Sequence, residues 1–141
     1  LAIARYIDDA FDGPKLVPED ARNAAPVNRF TAFVATEVDQ LLMRNYVVEY
    51  AFHKDDDGNV VRTKIDKALK RFPKMFAMLE AAVEPGFFGS ASFSMADCFV
   101  IPILNATNMW EEGKEAIANS PKLNNYFTKM QERPSFQATA K

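Results

Sequence analysis

The sequence is poor in the residues that build metal centres and disulfide frameworks. Its 141 residues include one cysteine and one histidine, and so few soft ligands disfavour a transition-metal site. We therefore expect no bound metal. A single cysteine cannot form an internal disulfide bond, which favours a reducing compartment, here taken to be the cytoplasm. The sequence also has no P-loop, GxGxxG, HExxH or CxxC motif.

Excess charge and long apolar runs are missing as well. Seventeen Lys and Arg residues against 19 Asp and Glu residues give a net charge of −2, which offers no electrostatic case for nucleic acid or a membrane as partner. The longest charge-free stretch in the second half, Cys98 to Trp110, has 13 residues, too few to cross a bilayer. What is present is 48% hydrophobic and 26% charged residues, an ordinary balance that predicts one soluble domain with a real core.

Hydrophobic residues recur at helical spacing, and no strand pattern of useful length interrupts them, so the predicted fold class is all-α. The first long helix is expected from about 21–27 to about His53. The second is expected from about Val60 to Val83, bent at Pro73 and ended by Glu84-Pro85-Gly86.

The third and last helices have sharper start signals. The third is expected from Ser94 to about Trp110. Its residues 98–104 are apolar on every face, which is typical of a helix in the middle of a bundle. The last clear helix has Ser120 as N-cap with Pro121 at the first helical position, and it ends at 133–134 before a short turn around Phe136.

The N-terminal residues predict a separate unit. Ile3, Ile7 and Phe11 recur every four residues, and the chain has no initiator Met, so it looks like a fragment that opens within an amphipathic helix. We expect residues 1–12 to be the last helix of a truncated domain, 13–25 to be a linker rich in proline, and 26–141 to be the helical domain.

The strongest local motif is Ser94-Met95-Ala96-Asp97. Serine at the N-cap and an acid at the third helical position can satisfy each other's backbone N–H groups, so we interpret Ser94 and Asp97 as a structural capping box. A Ser/Asp catalytic pair is the alternative, but no histidine is nearby. Cys98 could be a nucleophile at a helix N-terminus, yet its apolar neighbours favour a core position.

Two charged motifs are interpreted as solvent-exposed. Residues 55–58 resemble part of a calcium loop, but the frame puts His53 and Lys64 at ligand positions, so a turn is favoured. The stripe Lys64, Lys67, Arg71 and Lys74 could suggest an anion-binding face. Since it lacks interleaved aromatic residues and the chain is acidic overall, a solvated face is the preferred interpretation.

The order of these features resembles the C-terminal helical domain of cytosolic glutathione transferases. In that family a Ser/Thr-x-x-Asp box opens the central helix, as Ser94 to Asp97 do here. An aromatic-x-x-x-Met-x-x-Arg-Pro stretch closes the domain, as residues 126–134 do here. The opening residues 1–7 are similar to the third helix of the family's thioredoxin-like domain. The resemblance covers essentially the whole chain.

This resemblance implies that the intact protein transfers glutathione, as co-substrate, to an apolar electrophile in a detoxification reaction. Family members activate the glutathione thiol with a residue of the thioredoxin-like domain, so this chain holds no catalytic residue and is expected to be inactive alone. It would supply the wall that binds the electrophile. Family members are usually homodimers. The alternative is a non-catalytic interaction module in a larger assembly.

The resemblance also suggests substrate-binding candidates. In members that resemble the bacterial beta group, a polar residue after an Ala-Thr-Glu stretch points towards glutathione, and Asp39 occupies that position here. Thr36 and Met43 share its helical face. Asn105, Asn108 and Met109 at the end of the central helix are weaker candidates. Ordinary packing is the alternative for Thr36 and Met43.

Overall fold

The fold is all-α, as the periodicity predicts. The computed structural model describes residues 1–83 and 86–140, and within them it contains helices and no strand beyond two isolated bridges. The helices are α1 Ala2–Ala10, α2 Ala21–Phe33, a π-helical segment Val34–Val47, α3 Val48–Phe52, α4 Thr63–Leu69, α5 Phe72–Ala82, α6 Met95–Thr107, α7 Glu111–Ala118, α8 Pro121–Gln131 and α9 Pro134–Thr139.

The first long helix is continuous from Ala21 to Phe52, although its middle is π-helical. It begins at the early end of the expected range because Asp20 caps it, accepting a hydrogen bond from the Asn23 N–H at 2.9 Å. Pro26 lies inside it and removes one helical donor. Helix thus occupies part of the segment 13–25 that the sequence predicts to be a linker.

The π-helical segment widens the helix where its neighbours pack against it. Hydrogen bonds there follow an i to i−5 pattern, as from the Val48 N–H to the Met43 carbonyl. Side chains five residues apart consequently meet: Arg44 Nε donates to Asp39 at 3.0 Å, and Gln40 Nε2 donates to Asn45 at 3.4 Å.

The second predicted helix is two helices. α4 ends at Leu69 and α5 begins at Phe72, so the expected bend at Pro73 is instead a break. Pro73 is the second residue of α5, where its missing N–H costs nothing and its ring avoids the preceding turn. Glu84 and Pro85 of the predicted stop lie outside the described residues, and Gly86 adopts φ +105°.

α6 is the central helix and begins with the predicted box. It packs against α2, the π-helical segment and α8, and Ser94 and Asp97 form the reciprocal capping box. The predicted central position is confirmed, although one side of the helix, with Cys98 and Pro102, is exposed. Residues on the other faces, such as Val100 and Leu104, are fully buried.

α7 has no counterpart in the sequence prediction, and it lies close to the end of α6. Gly113 approaches α6 so closely that an added Cβ would lie 2.2 Å from the Thr107 carbonyl oxygen. Glycine at this position therefore permits the contact.

Ser120 occupies the predicted N-cap of α8, but its side chain makes no capping bond. Its hydroxyl donates to the Ala116 carbonyl instead, and Glu80 accepts the Lys122 N–H at 2.7 Å.

A buried carboxylate helps to attach α1 to the segment that leads into α2. Asp8 accepts hydrogen bonds from the backbone N–H groups of Leu16 at 2.7 Å and Val17 at 3.2 Å. The Leu16 carbonyl in turn accepts the Met95 N–H at 3.0 Å. The apolar side chains of α1 point elsewhere: Leu1, Ile3, Tyr6, Ile7 and Phe11 at its end are 53–77% exposed.

Candidate functional site

Two of the three candidates on the first long helix, Thr36 and Asp39, are bonded within that helix. Thr36 is exposed, and its hydroxyl donates to the Ala32 carbonyl at 2.8 Å. Asp39 is partly exposed and paired with Arg44 at 3.0 Å. Met43 is half-buried and packs against the main core. Arg44 therefore supplies the cationic partner that an aspartate at this position prefers.

Two of the three candidates on α6 line a cavity, and the third does not. Asn105 and Met109 line a cavity of about 460 Å³ between α6, the end of α8 and α9, whereas Asn108 does not line it. This volume lies within the range of small-molecule sites, and the lining is mostly apolar. The other lining residues are Phe93, Cys98, Ile101, Pro102, Ala106, Met130, Arg133, Ser135, Phe136, Thr139 and Ala140.

Cys98 is part of this cavity wall and not of the core, so the core prediction for it is wrong. Its spacing from Pro102 and Asn105 places all three on one side of α6. The apolar atoms around the thiol, and then the charge of Asp97, raise its pKa above the ordinary range. A raised pKa keeps the thiol protonated, which does not suit a nucleophile.

Among the described residues that line this cavity, Arg133 is the only one with a positive charge. Its guanidinium carbon lies 3.8 Å from the centre of the Phe93 ring, a cation–π contact. Its Nε is buried and has no hydrogen-bond acceptor in the described part of the chain. The cavity therefore combines apolar walls with a single cationic group.

Asp97 does more than cap α6. Its carboxylate is fully buried and accepts four hydrogen bonds, from the Ser94 N–H and hydroxyl at 2.8 Å each, the Phe88 N–H at 3.1 Å and the Tyr126 hydroxyl at 2.7 Å. Burial, and then the charge of Asp97, raise the pKa of Tyr126. The motif therefore has a structural role that joins α6, α8 and the loop before α6.

A second polar cluster joins the first long helix to α7, and sequence reasoning missed it. The Glu112 carboxylate accepts hydrogen bonds from Tyr50 at 2.7 Å, Arg62 at 2.7 Å and Tyr46 at 3.2 Å. Tyr46 also accepts the Gly113 N–H at 2.9 Å. Burial raises the pKa of Glu112, but the hydrogen bonds from Tyr50 and Arg62 outweigh it and hold that pKa at about 2. Burial also raises the pKa of Tyr46.

Neither a metal cluster nor a membrane span is found in the ranges that the structure covers. Residues 1–83 and 86–140 contain no group of three or more His, Cys, Asp or Glu side chains arranged to hold a metal ion. No helix formed by those residues is long and apolar enough to cross a bilayer.

The structure is a helical bundle whose central helix begins with a capping box and has a cavity beside it. The sequence profile described as "Glutathione S-transferase, C-terminal domain" matches residues 49–129. The chain therefore belongs to the glutathione transferase family. No curated protein sequence matches it.

Solved structures share this fold at low sequence identity, among them three glutathione transferases. Glutathione transferase F7 from Populus trichocarpa has a TM-score of 0.85 and 19% sequence identity, and the match covers 99% of this chain and 66% of that one. For glutathione S-transferase III in apo form the TM-score is 0.79 and the identity 21%, with 99% of this chain and 64% of that one covered. For a glutathione S-transferase from Rhodospirillum rubrum F11 the TM-score is 0.82 and the identity 17%, with 96% of this chain and 61% of that one covered. The chain thus spans less than two thirds of the length of each.

Proposed function

We propose that this chain is the electrophile-binding half of a glutathione S-transferase, which joins the glutathione thiolate to an apolar electrophile. The observation that carries the proposal is the family match over residues 49–129. In this proposal glutathione is a co-substrate and no metal takes part. The residue that activates the thiol lies in a thioredoxin-like domain preceding residue 1, so the chain itself is inactive.

The exposed face of α1 supports such a preceding domain. Ile3, Ile7 and Phe11 are 77%, 53% and 61% exposed, although they form a regular apolar stripe. Such a stripe normally packs against a neighbour. Residues 1–12 then belong to the thioredoxin-like domain, and Asp8 attaches it to the helical domain, whose first helix begins at Ala21.

Two groups of residues are proposed to line the substrate cleft. On the first long helix they are Thr36, Asp39 and Met43, with Asp39 contacting glutathione. Because Arg44 already neutralises Asp39, a glutathione ammonium group must share or displace that pair. On α6, Met109 provides part of the apolar wall of the 460 Å³ cavity, and Asn105 provides a polar group in the same wall. Asn108, outside this lining, is proposed as a rim contact.

The proposed protein works as a homodimer in the cytoplasm, in detoxification. Two-fold dimers are the commonest oligomers, and an isologous interface would cover apolar surface that the isolated chain exposes. Sedimentation of the intact protein measures its oligomeric state, and a monomer at micromolar concentration would contradict the dimer.

The decisive experiment compares conjugation of glutathione to 1-chloro-2,4-dinitrobenzene by this chain and by the protein that includes its upstream sequence. Turnover by the longer protein and none by residues 1–141 is expected. Full turnover by residues 1–141 alone would refute the division of labour. An intact protein that is inactive and is not retained on immobilised glutathione would instead be a non-catalytic interaction module.

A matched pair of variants tests the docking of the preceding domain. Ile7→Ser should leave the stability of residues 1–141 unchanged within about 0.5 kcal/mol, as expected for an exposed site. In the intact protein it should cost about 2 kcal/mol, because Ile7 is then buried. Phe52→Ser is the control, since Phe52 is 81% exposed and lies on another helix. Equal effects of Ile7→Ser in both proteins would contradict the docking.

A further inference from the structure

A small cavity between the π-helical segment and α4 is lined differently from the site proposed for the electrophile. Its volume is about 190 Å³, too small for a drug-sized ligand but sufficient for one polyatomic anion with some of its water. Leu41 and Ala68, 1% and 2% exposed, form its apolar floor. Asn45, Lys64, Lys67 and Arg71 complete the lining.

The polar groups that line this cavity are donors. Lys64, Lys67 and Arg71 recur at steps of three and four residues, so they project from neighbouring turns. The Asn45 side-chain oxygen accepts the hydrogen bond from Gln40 Nε2 at 3.4 Å, which leaves its NH₂ group free to donate. No carboxylate is among the lining residues of this cavity in the described chain. A ligand that only accepts hydrogen bonds complements such a lining.

The charges of the lining are only partly compensated. Lys64 is paired with Glu49 at 2.7 Å. The nearest acid to Arg71 is Glu37 at 3.8 Å, too far for a hydrogen bond, and both side chains are more than half exposed. Within the ranges covered by the structure, Lys67 has no ion pair within 4 Å. Among the described residues Lys67 is therefore unpaired, and Arg71 is held only by a long, exposed ion pair that a ligand could displace.

The surrounding sequence strengthens the local field. Residues 62–74 contain six Lys and Arg residues and one acid, a charge of +5 within a chain whose total is −2. We propose that this cavity binds a phosphoryl group, either as inorganic phosphate or as a small phosphate monoester, with Lys67 and Arg71 as its main contacts. A phosphate dianion has the charge and the acceptor oxygens that the lining lacks.

The test is a titration of ¹⁵N-labelled residues 1–141 at pH 7.5, with inorganic phosphate and with glycerol 3-phosphate, at constant ionic strength adjusted with chloride. We expect saturable shifts of the amide signals around residues 41–45 and 64–71. Lys67→Ala and Arg71→Ala should each weaken binding at least ten-fold. Lys74→Ala is the matched control, because Lys74 belongs to the same basic stripe but does not line the cavity, and it should weaken binding less than two-fold.

Each outcome is informative about the ligand. Similar affinity for the two compounds would support a site for the free anion, whereas tighter binding of glycerol 3-phosphate would support a monoester. Shifts that do not saturate, or an equal loss of affinity in Lys67→Ala and Lys74→Ala, would overturn the proposal in favour of diffuse charge attraction. The substituted side chains are exposed, so the fold should survive, and an unchanged spectrum elsewhere verifies this.

Discussion

Removing the Asp97 carboxylate should be among the most damaging single changes in this domain. In Asp97→Ala, the N–H groups of Ser94 and Phe88 and the hydroxyl of Tyr126 lose their acceptor in a buried site. A buried donor without a partner costs about 1–3 kcal/mol. Since the Ser94 hydroxyl can rotate to another acceptor, we expect a total loss of about 4–6 kcal/mol.

The assay is urea unfolding followed by circular dichroism at pH 7. Domains of this size are stable by about 5–15 kcal/mol, and m is about 1.5–2 kcal/mol/M, so the midpoint should fall by about 2–4 M. Tyr126→Phe removes one of the four donors and should cost about 1–3 kcal/mol. Asp97→Asn keeps one acceptor oxygen and should fall between these two variants.

A double-mutant cycle gives the sharpest check of this reasoning. In the Asp97→Ala background, Tyr126→Phe should be neutral or stabilising, because it deletes a hydroxyl that has lost its acceptor. If the two changes instead destabilise additively, the Tyr126 hydroxyl contributes independently of the Asp97 carboxylate. A loss below about 1.5 kcal/mol in Asp97→Ala would refute the claim that the carboxylate joins α6 to α8.

Three further predictions concern the other contacts between helices. Gly113→Ala should lower the stability by about 1–3 kcal/mol, measured as a fall in Tm, because its Cβ would meet the backbone of Thr107; an unchanged Tm would show that α7 can shift freely. The pKa of Glu112, held at about 2, is lower than in the unfolded chain, so this carboxylate stabilises the fold above pH 4.5 and loses that effect as the pH falls towards 2. Glu112→Gln should therefore be less stable than wild type at pH 7, by no more than about 3 kcal/mol because the group is partly exposed, and the difference should shrink between pH 4.5 and 2; a constant difference would contradict this. Asp8→Ala should increase amide hydrogen exchange at Leu16 and Val17 while leaving α8 unchanged, and unaltered exchange would show that the carboxylate does not hold this segment.

Local signals explain what could be predicted from the sequence. The Ser94 and Asp97 spacing predicts the start of α6, and the apolar periodicity predicts the long first helix, because both depend on residues within one or two turns. The interruption near Pro73 also has a local cause, because proline lacks the N–H donor of a helix interior. Proline alone does not determine whether the helix bends or ends and a new one begins. Short apolar patterns did not indicate α7, because its packing against α5 and α8 and the contacts of Glu112 with Tyr50 and Arg62 are not visible in its local sequence.

The non-local features could not be predicted in this way. The Glu112 contacts join residues that are separated by 50 to 66 positions in the sequence. The local sequence around one partner does not indicate the other partner. The exposure of Cys98 has the same origin, since an apolar neighbourhood in sequence does not reveal which face of a helix lacks a partner. For the candidate site, the sequence indicated Asn105 and Met109, but the role of Arg133 depends on where α8 ends relative to α6.

Asp8, Leu16 and Met95 form a continuous series of hydrogen bonds from α1 to α6. One carboxylate and one backbone hydrogen bond connect α1 to the first turn of α6. The same turn of α6 carries Asp97, whose buried carboxylate accepts four hydrogen bonds. Movement of α1 would accordingly be transmitted through these hydrogen bonds to the N-terminal turn of the central helix.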